Sequence, residues 1–112
     1  MAKINSSEYG WIKIDGTTYN HDVYILPSGE VEKREYGHTF TKDQAEHVLK
    51  TKPEIVVIGK GTSGMASLAP EARQVLEKAG VKLVEDWTPR IREKFNELAE
   101  SKKVAAIIHV TC

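Results

Sequence analysis

Apolar and polar positions follow two rhythms along the chain. Gly10-Trp11-Ile12-Lys13-Ile14-Asp15 alternates apolar and polar side chains and then meets Gly16, the period-two pattern of a half-buried strand. Tyr19 to Leu26 is a second candidate strand. Pro27-Ser28-Gly29 is a turn, because proline presets φ and glycine accepts a positive φ. Val31-Glu32-Lys33-Arg34-Glu35-Tyr36 then pairs back as a charged, solvent-facing strand.

From Thr41 the rhythm changes. Thr41-Lys42-Asp43-Gln44 is a capping box, and Ala45, Val48 and Leu49 continue it as a helical stripe that Pro53 closes. Ile55-Val56-Val57-Ile58 is a continuous β-branched run, the signature of a strand covered on both faces. Pro70 opens a second helix, Ala72, Val75, Leu76 and Ala79 form its apolar face, and Gly80 stops it. Val81-Lys82-Leu83-Val84 is another strand. Thr88-Pro89 reads as helix cap and first turn, with Ile91, Phe95 and Leu98 as the buried stripe. Val104 to His109 is the final strand, its direction left open by its uniformly apolar content.

These elements predict one α/β domain over residues 1–112: three layers, with a central mixed sheet, flanking helices and an N-terminal antiparallel β-ribbon. Residues 10–36 are expected to be mainly ribbon, and 41–112 to alternate between strand and helix.

Composition narrows the function. Sixteen basic residues balance sixteen acidic ones, which argues against nucleic acid as a partner. No apolar run is long enough to span a membrane, so no membrane association is expected. Cys112 is the one cysteine, so no intrachain disulfide can form and a cytoplasmic setting fits.

A resemblance appears when several features are taken together. They are Ile55-Val56-Val57-Ile58 followed by Gly59-x-Gly61, Thr88 with Phe95-Asn96-x-Leu98, and the ending His109-x-Thr111-Cys112. Thr18-Tyr19, Pro27-x-Gly29 and His38 fit more loosely. The chain resembles the adipogenesis-associated domain-containing protein family, to which a domain of a mitochondrial respiratory complex I assembly factor is related. Ile91 departs from that pattern, related sequences carrying alanine there. The resemblance implies a small α/β fold and an interaction or assembly role, with no catalytic residues, cofactor or metal to carry over.

Among candidate sites, Gly59-Lys60-Gly61-Thr62-Ser63-Gly64 is foremost. Its glycines permit close backbone approach, and its amides and Lys60 suit an anion or nucleotide-like ligand. It matches neither a phosphate loop nor a dinucleotide loop opening directly into a helix. Thr88 at a helix start would share its rim, although such a threonine more often caps its own helix. His109 and Cys112 have thiol–imidazole spacing but no further ligands for a metal. His38 reads as a loop residue, and Glu85 and Asp86 as charges favouring the next helix. The leading expectation is therefore a protein-interaction or assembly module, self-association included, leaning away from enzymatic activity. The alternative is a small-molecule binder or enzyme using Gly59, Lys60, Gly61, Thr62 and Thr88.

Overall fold

Two neighbouring strands organise the molecule, β7 (Ile55–Lys60) and β10 (Val104–His109). A computed structural model describes residues 2–112. In order along the chain the other strands are β1 (Ile4–Glu8), β2 (Trp11–Ile14), β3 (Thr17–Tyr19), β4 (Val23–Ile25), β5 (Val31–Lys33), β6 (Thr39–Phe40), β8 (Ser67–Leu68) and β9 (Lys82–Asp86). The helices are α1 (Lys42–Leu49), α2 (Pro70–Lys78) and α3 (Thr88–Ala99).

The main sheet has the order β5-β4-β10-β7-β9. β10 runs parallel to β7, with Val104 opposite Ile55 and His109 opposite Lys60. It runs antiparallel to β4, with Ile107 opposite Tyr24. The sheet is therefore mixed, and the strand whose direction its apolar content leaves open is parallel on one side and antiparallel on the other.

Strand periodicity divides the interior in two. Ile55, Val57, Val104, Ala106 and Ile108 face α3 and the ribbon, packing with Ile4, Ile12, Ile14, Ile91 and Phe95. Val56, Ile58, Ala105 and Ile107 face α1 and α2, packing with Phe40, Ala45, Val48, Ala72 and Leu76. An uninterrupted apolar run is required here because consecutive side chains enter opposite cores. A fully buried branched side chain contributes roughly 1.5–3 kcal/mol of transfer free energy, so these two strands supply much of what holds the layers together.

Helix signals translate directly. The Thr41 hydroxyl accepts from the Gln44 amide at 3.2 Å, and Gln44 Oε1 accepts from the Thr41 amide at 3.4 Å. Pro70 and Pro89 sit in the first turns of α2 and α3. Ile91 is fully buried.

Two boundaries differ from the sequence expectation. The ribbon is β1-β2-β3, beginning at Ile4, whereas β4 and β5 extend the central sheet. A short apolar strand carries no label naming the sheet it joins; Val23 and Ile25 belong to one core and Tyr24 to the other, which fits the main sheet. Second, β7 continues through Gly59 and Lys60, so these two residues lie in a strand and the loop starts at Gly61.

Candidate functional site

The carboxyl ends of β7, β10 and β9 meet at one point. Thr88 ties them. Its Oγ accepts from the Gly61 amide at 2.9 Å and donates to the His109 carbonyl at 2.6 Å, while its own amide donates to the Gly61 carbonyl at 3.0 Å. Trp87 holds the cap position of α3, with no side-chain cap bond, and Thr88 lies inside the first turn. This corrects the sequence reading of Thr88 as a cap: its hydroxyl bonds the chain ends of two strands and not its own helix. Gly59 makes room for it. A Cβ there would stand 3.0 Å from Thr88 Oγ and 3.2 Å from Ile108 Cγ2.

Gly61 and Thr62 are thus brought beside Thr88, and residues Thr111 and Cys112 lie across them. The Thr62 amide donates to the Thr111 carbonyl at 2.7 Å, and the Met65 amide to the Cys112 carbonyl at 2.9 Å. Gly61 has φ +97, and a Cβ would meet the Cys112 carbonyl carbon at 2.6 Å. Glycine is required there by both conformation and space. The loop amides of Gly61, Thr62 and Met65 are therefore engaged within the chain.

Beneath this surface lies a buried polar cluster that no sequence spacing announces. Asp22 and Arg34 form a fully buried ion pair. Arg34 also donates from Nε to Gln44 Oε1 at 2.9 Å and to the Gly37 and Thr39 carbonyls at 3.1 and 2.9 Å. Its guanidinium lies 4.5 Å over the Phe40 ring. Burial draws the guanidinium pKa below its ordinary value, and the Asp22 charge acts against that. The pair of two-residue strands β6 and β8 fastens the segment carrying these contacts to the chain after β7.

Asp22 faces β10 as well. Its Oδ2 lies 2.7 Å from His109 Nδ1, and its Oδ1 accepts from the Val110 amide at 2.9 Å. His109 is fully buried, and its Nε2 lies 3.0 Å from the Thr111 hydroxyl. In the neutral ring, with the carboxylate accepting from Nδ1–H, Nε2 accepts the Thr111 proton. The His38 ring stands 4.9 Å from the His109 ring, and His38 Nε2 lies 3.4 Å from Cys112 Sγ. His38, 74 positions from Cys112 in sequence, is therefore a neighbour of both His109 and Cys112. Among the described residues, no group of three or more His, Cys, Asp or Glu side chains is placed to hold a metal ion.

Segments bearing the large exposed apolar side chains meet at this same end. Tyr36 is 70% exposed and its ring lies 5.7 Å from that of His109. Met65, 65% exposed, precedes Ala66 in the loop bonded to Cys112. Trp87 packs against Gly64, where a Cβ would come within 2.2 Å of Nε1. Tyr9 adjoins Gly10, whose amide donates to the Val110 carbonyl at 2.8 Å.

Other candidates are otherwise engaged. Glu85 holds Arg73 with two bonds of 2.8 and 3.0 Å. Asp86 accepts from Lys94 and from the Trp87 amide, which hold its carboxyl below the usual range. Asn96 bonds both backbone groups of Ile4 at 2.8 Å, anchoring the ribbon to α3. A surface hollow of about 1220 Å³ lies elsewhere, among Tyr24, Glu32, His47 and Val75. There burial and Glu35 push the Tyr24 hydroxyl upward in pKa.

A mixed five-stranded sheet with two helices on one face, and a helix and β-ribbon on the other, defines a particular class of small α/β domain. The chain belongs to the family described as a protein of unknown function (DUF498/DUF598), matched over residues 4–109. Solved structures share the fold. The conserved hypothetical protein PH1505 from Pyrococcus horikoshii OT3 is 33% identical, with TM-score 0.90, over 98% of this chain and 99% of that one. The protein MT938 is 25% identical, with TM-score 0.84, over all of both chains. A Mth938-like domain from Bordetella pertussis, 16% identical with TM-score 0.69 over 96% of this chain and 85% of that one, shares the fold alone. No helix among the described residues is long and apolar enough to cross a membrane.

Proposed function

We propose that the domain is a protein-interaction module whose contact surface is the carboxyl end of its central strands. One observation carries this reading: the large exposed apolar side chains Tyr9, Tyr36, Met65 and Trp87 sit on segments that meet at this end. The Tyr36 ring lies by His109, the Met65 and Gly10 amides bond Cys112 and Val110, and Trp87 lies against Gly64 of the loop that Cys112 crosses. Apolar and aromatic exposure collected in one place marks association surfaces. The zero net charge removes long-range repulsion between copies, so the occupant the molecule favours is a second copy of itself. The resemblance to the adipogenesis-associated domain family supports the same kind of role, and a single half-buried thiol fits a cytoplasmic setting.

Light scattering across a concentration series tests it. The wild-type mass should rise with concentration toward that of a dimer, and Met65→Ser with Trp87→Ser should abolish the rise while leaving the fold intact. A wild type that stays monomeric at every concentration overturns the reading. The rival, a small anion on Gly59, Lys60, Gly61, Thr62 and Thr88, ranks behind it, because Thr111 and Cys112 would first have to leave the loop amides.

A further inference from the structure

We propose that Thr111 is an activated hydroxyl, able to take an acyl group from activated acyl esters, with His109 as its base and Asp22 as the residue positioning His109. This is an activity of the unassociated chain, since association through the same end would cover Thr111, and either can fail without the other.

Three placements carry it. The first is the linear order Asp22–His109–Thr111, with 2.7 Å between Asp22 Oδ2 and His109 Nδ1 and 3.0 Å between His109 Nε2 and Thr111 Oγ. Both distances lie within the reach that proton transfer requires. The second is burial. His109 and Asp22 are shielded from water, which keeps the imidazole in one orientation, while Thr111 is only half-buried and open to a substrate. The third is rigidity. The Thr111 carbonyl is held by the Thr62 amide at 2.7 Å and by the Thr62 hydroxyl at 3.3 Å, so the hydroxyl is presented on a fixed backbone. The exposed Tyr36, whose ring lies 5.7 Å from that of His109, offers apolar contact to an acyl chain.

In a purely structural role, Thr111 would satisfy the second nitrogen of a buried histidine and be no more reactive than any surface threonine. The Arg34 charge on Asp22 moderates the pull of the carboxylate on His109, so the reaction should be slow and confined to good leaving groups.

The step balances without any oxidant or reductant. Thr111 Oγ forms a bond to the acyl carbon as its proton passes to His109 Nε2. The bond from acyl carbon to the leaving oxygen or sulfur breaks, and His109 returns the proton to the departing alcohol, phenol or thiol. The product is O-acyl-Thr111.

The probe is p-nitrophenyl acetate, read by phenolate release and by peptide mass mapping. The wild type should release phenolate in proportion to protein and carry one acetyl group on Thr111. Thr111→Ser should retain acylation at that position, and Thr111→Val should lose at least tenfold in rate with an unchanged circular dichroism spectrum. An acetyl group found on Cys112 or lysines and never on Thr111 overturns the proposal, as does a Thr111→Val rate equal to wild type. The mapping on wild-type protein decides the matter even if the valine variant does not fold.

Discussion

Where β7 and β10 begin, Glu54 and Lys103 exchange exposed bonds: the Glu54 amide with the Lys103 carbonyl at 2.8 Å, and the Lys103 amide with Glu54 Oε2 at 2.8 Å. Where the same strands finish, charge is buried and apolar side chains are exposed. Asp22, Arg34, His109 and Thr88 lie inside, and Tyr36, Met65 and Trp87 lie outside. The first end follows the ordinary division of polar outside and apolar inside. The second inverts it. Burying a charged pair seldom adds stability over an apolar pair of the same shape, so the inversion points to use rather than to folding, as the carboxyl ends of parallel strands in open sheets commonly do.

The widest separation between the two ends should come from Arg34. Arg34→Ala strands the Asp22 carboxylate without its charged partner in the interior and should cost about 3–5 kcal/mol in urea denaturation. Asp22→Asn combined with Arg34→Met should cost less than the single change, because no lone charge remains. If the single variant lost under about 1 kcal/mol, far below that range, the buried end would be no different from the exposed one.

Thr88→Val comes next. It leaves the Gly61 amide and the His109 carbonyl without their partner and should cost about 2–3 kcal/mol, since each abandoned buried group costs on the order of 1–3 kcal/mol. Thr88→Ser should recover most of it, because the hydroxyl and not the methyl group makes both bonds. Thermal unfolding of the pair measures the difference. At the opposite end Glu54→Ala removes one exposed bond and should cost about 0.5 kcal/mol or less. A loss there as large as at Thr88 would erase the contrast.

Much of the frame is legible in the amino-acid sequence. The unbroken run Ile55–Ile58 declares a strand covered on both faces, and Thr41 with Gln44 declares the start of α1, because both signals depend only on near neighbours. The sheet partner of Val23–Ile25 is not legible, since alternation identifies a strand without its neighbour. β6 and β8 are two residues each, too short for any period to show. The convergence of Gly61 and Thr88 follows from placing their strands side by side. The cluster of Asp22, Arg34, His38 and His109 follows from nothing local: Asp22 and His109 are 87 positions apart, and only the antiparallel pairing of β4 with β10 brings them together. An Asp just before the apolar β4 and an Arg just after its neighbour β5 are the available hint, and each alone resembles a surface charge.

The strand at the middle of the sheet is also the last to appear in the sequence. During synthesis β4 and β7 must wait for Val104–His109 with their facing edges bare, and an open edge is a template for unwanted pairing with other chains. Closure over such separations is slow relative to local helix formation. The nascent chain is therefore exposed to aggregation until Val104–His109 slots in, and a truncation before Val104 would leave two half-sheets that cannot substitute for each other.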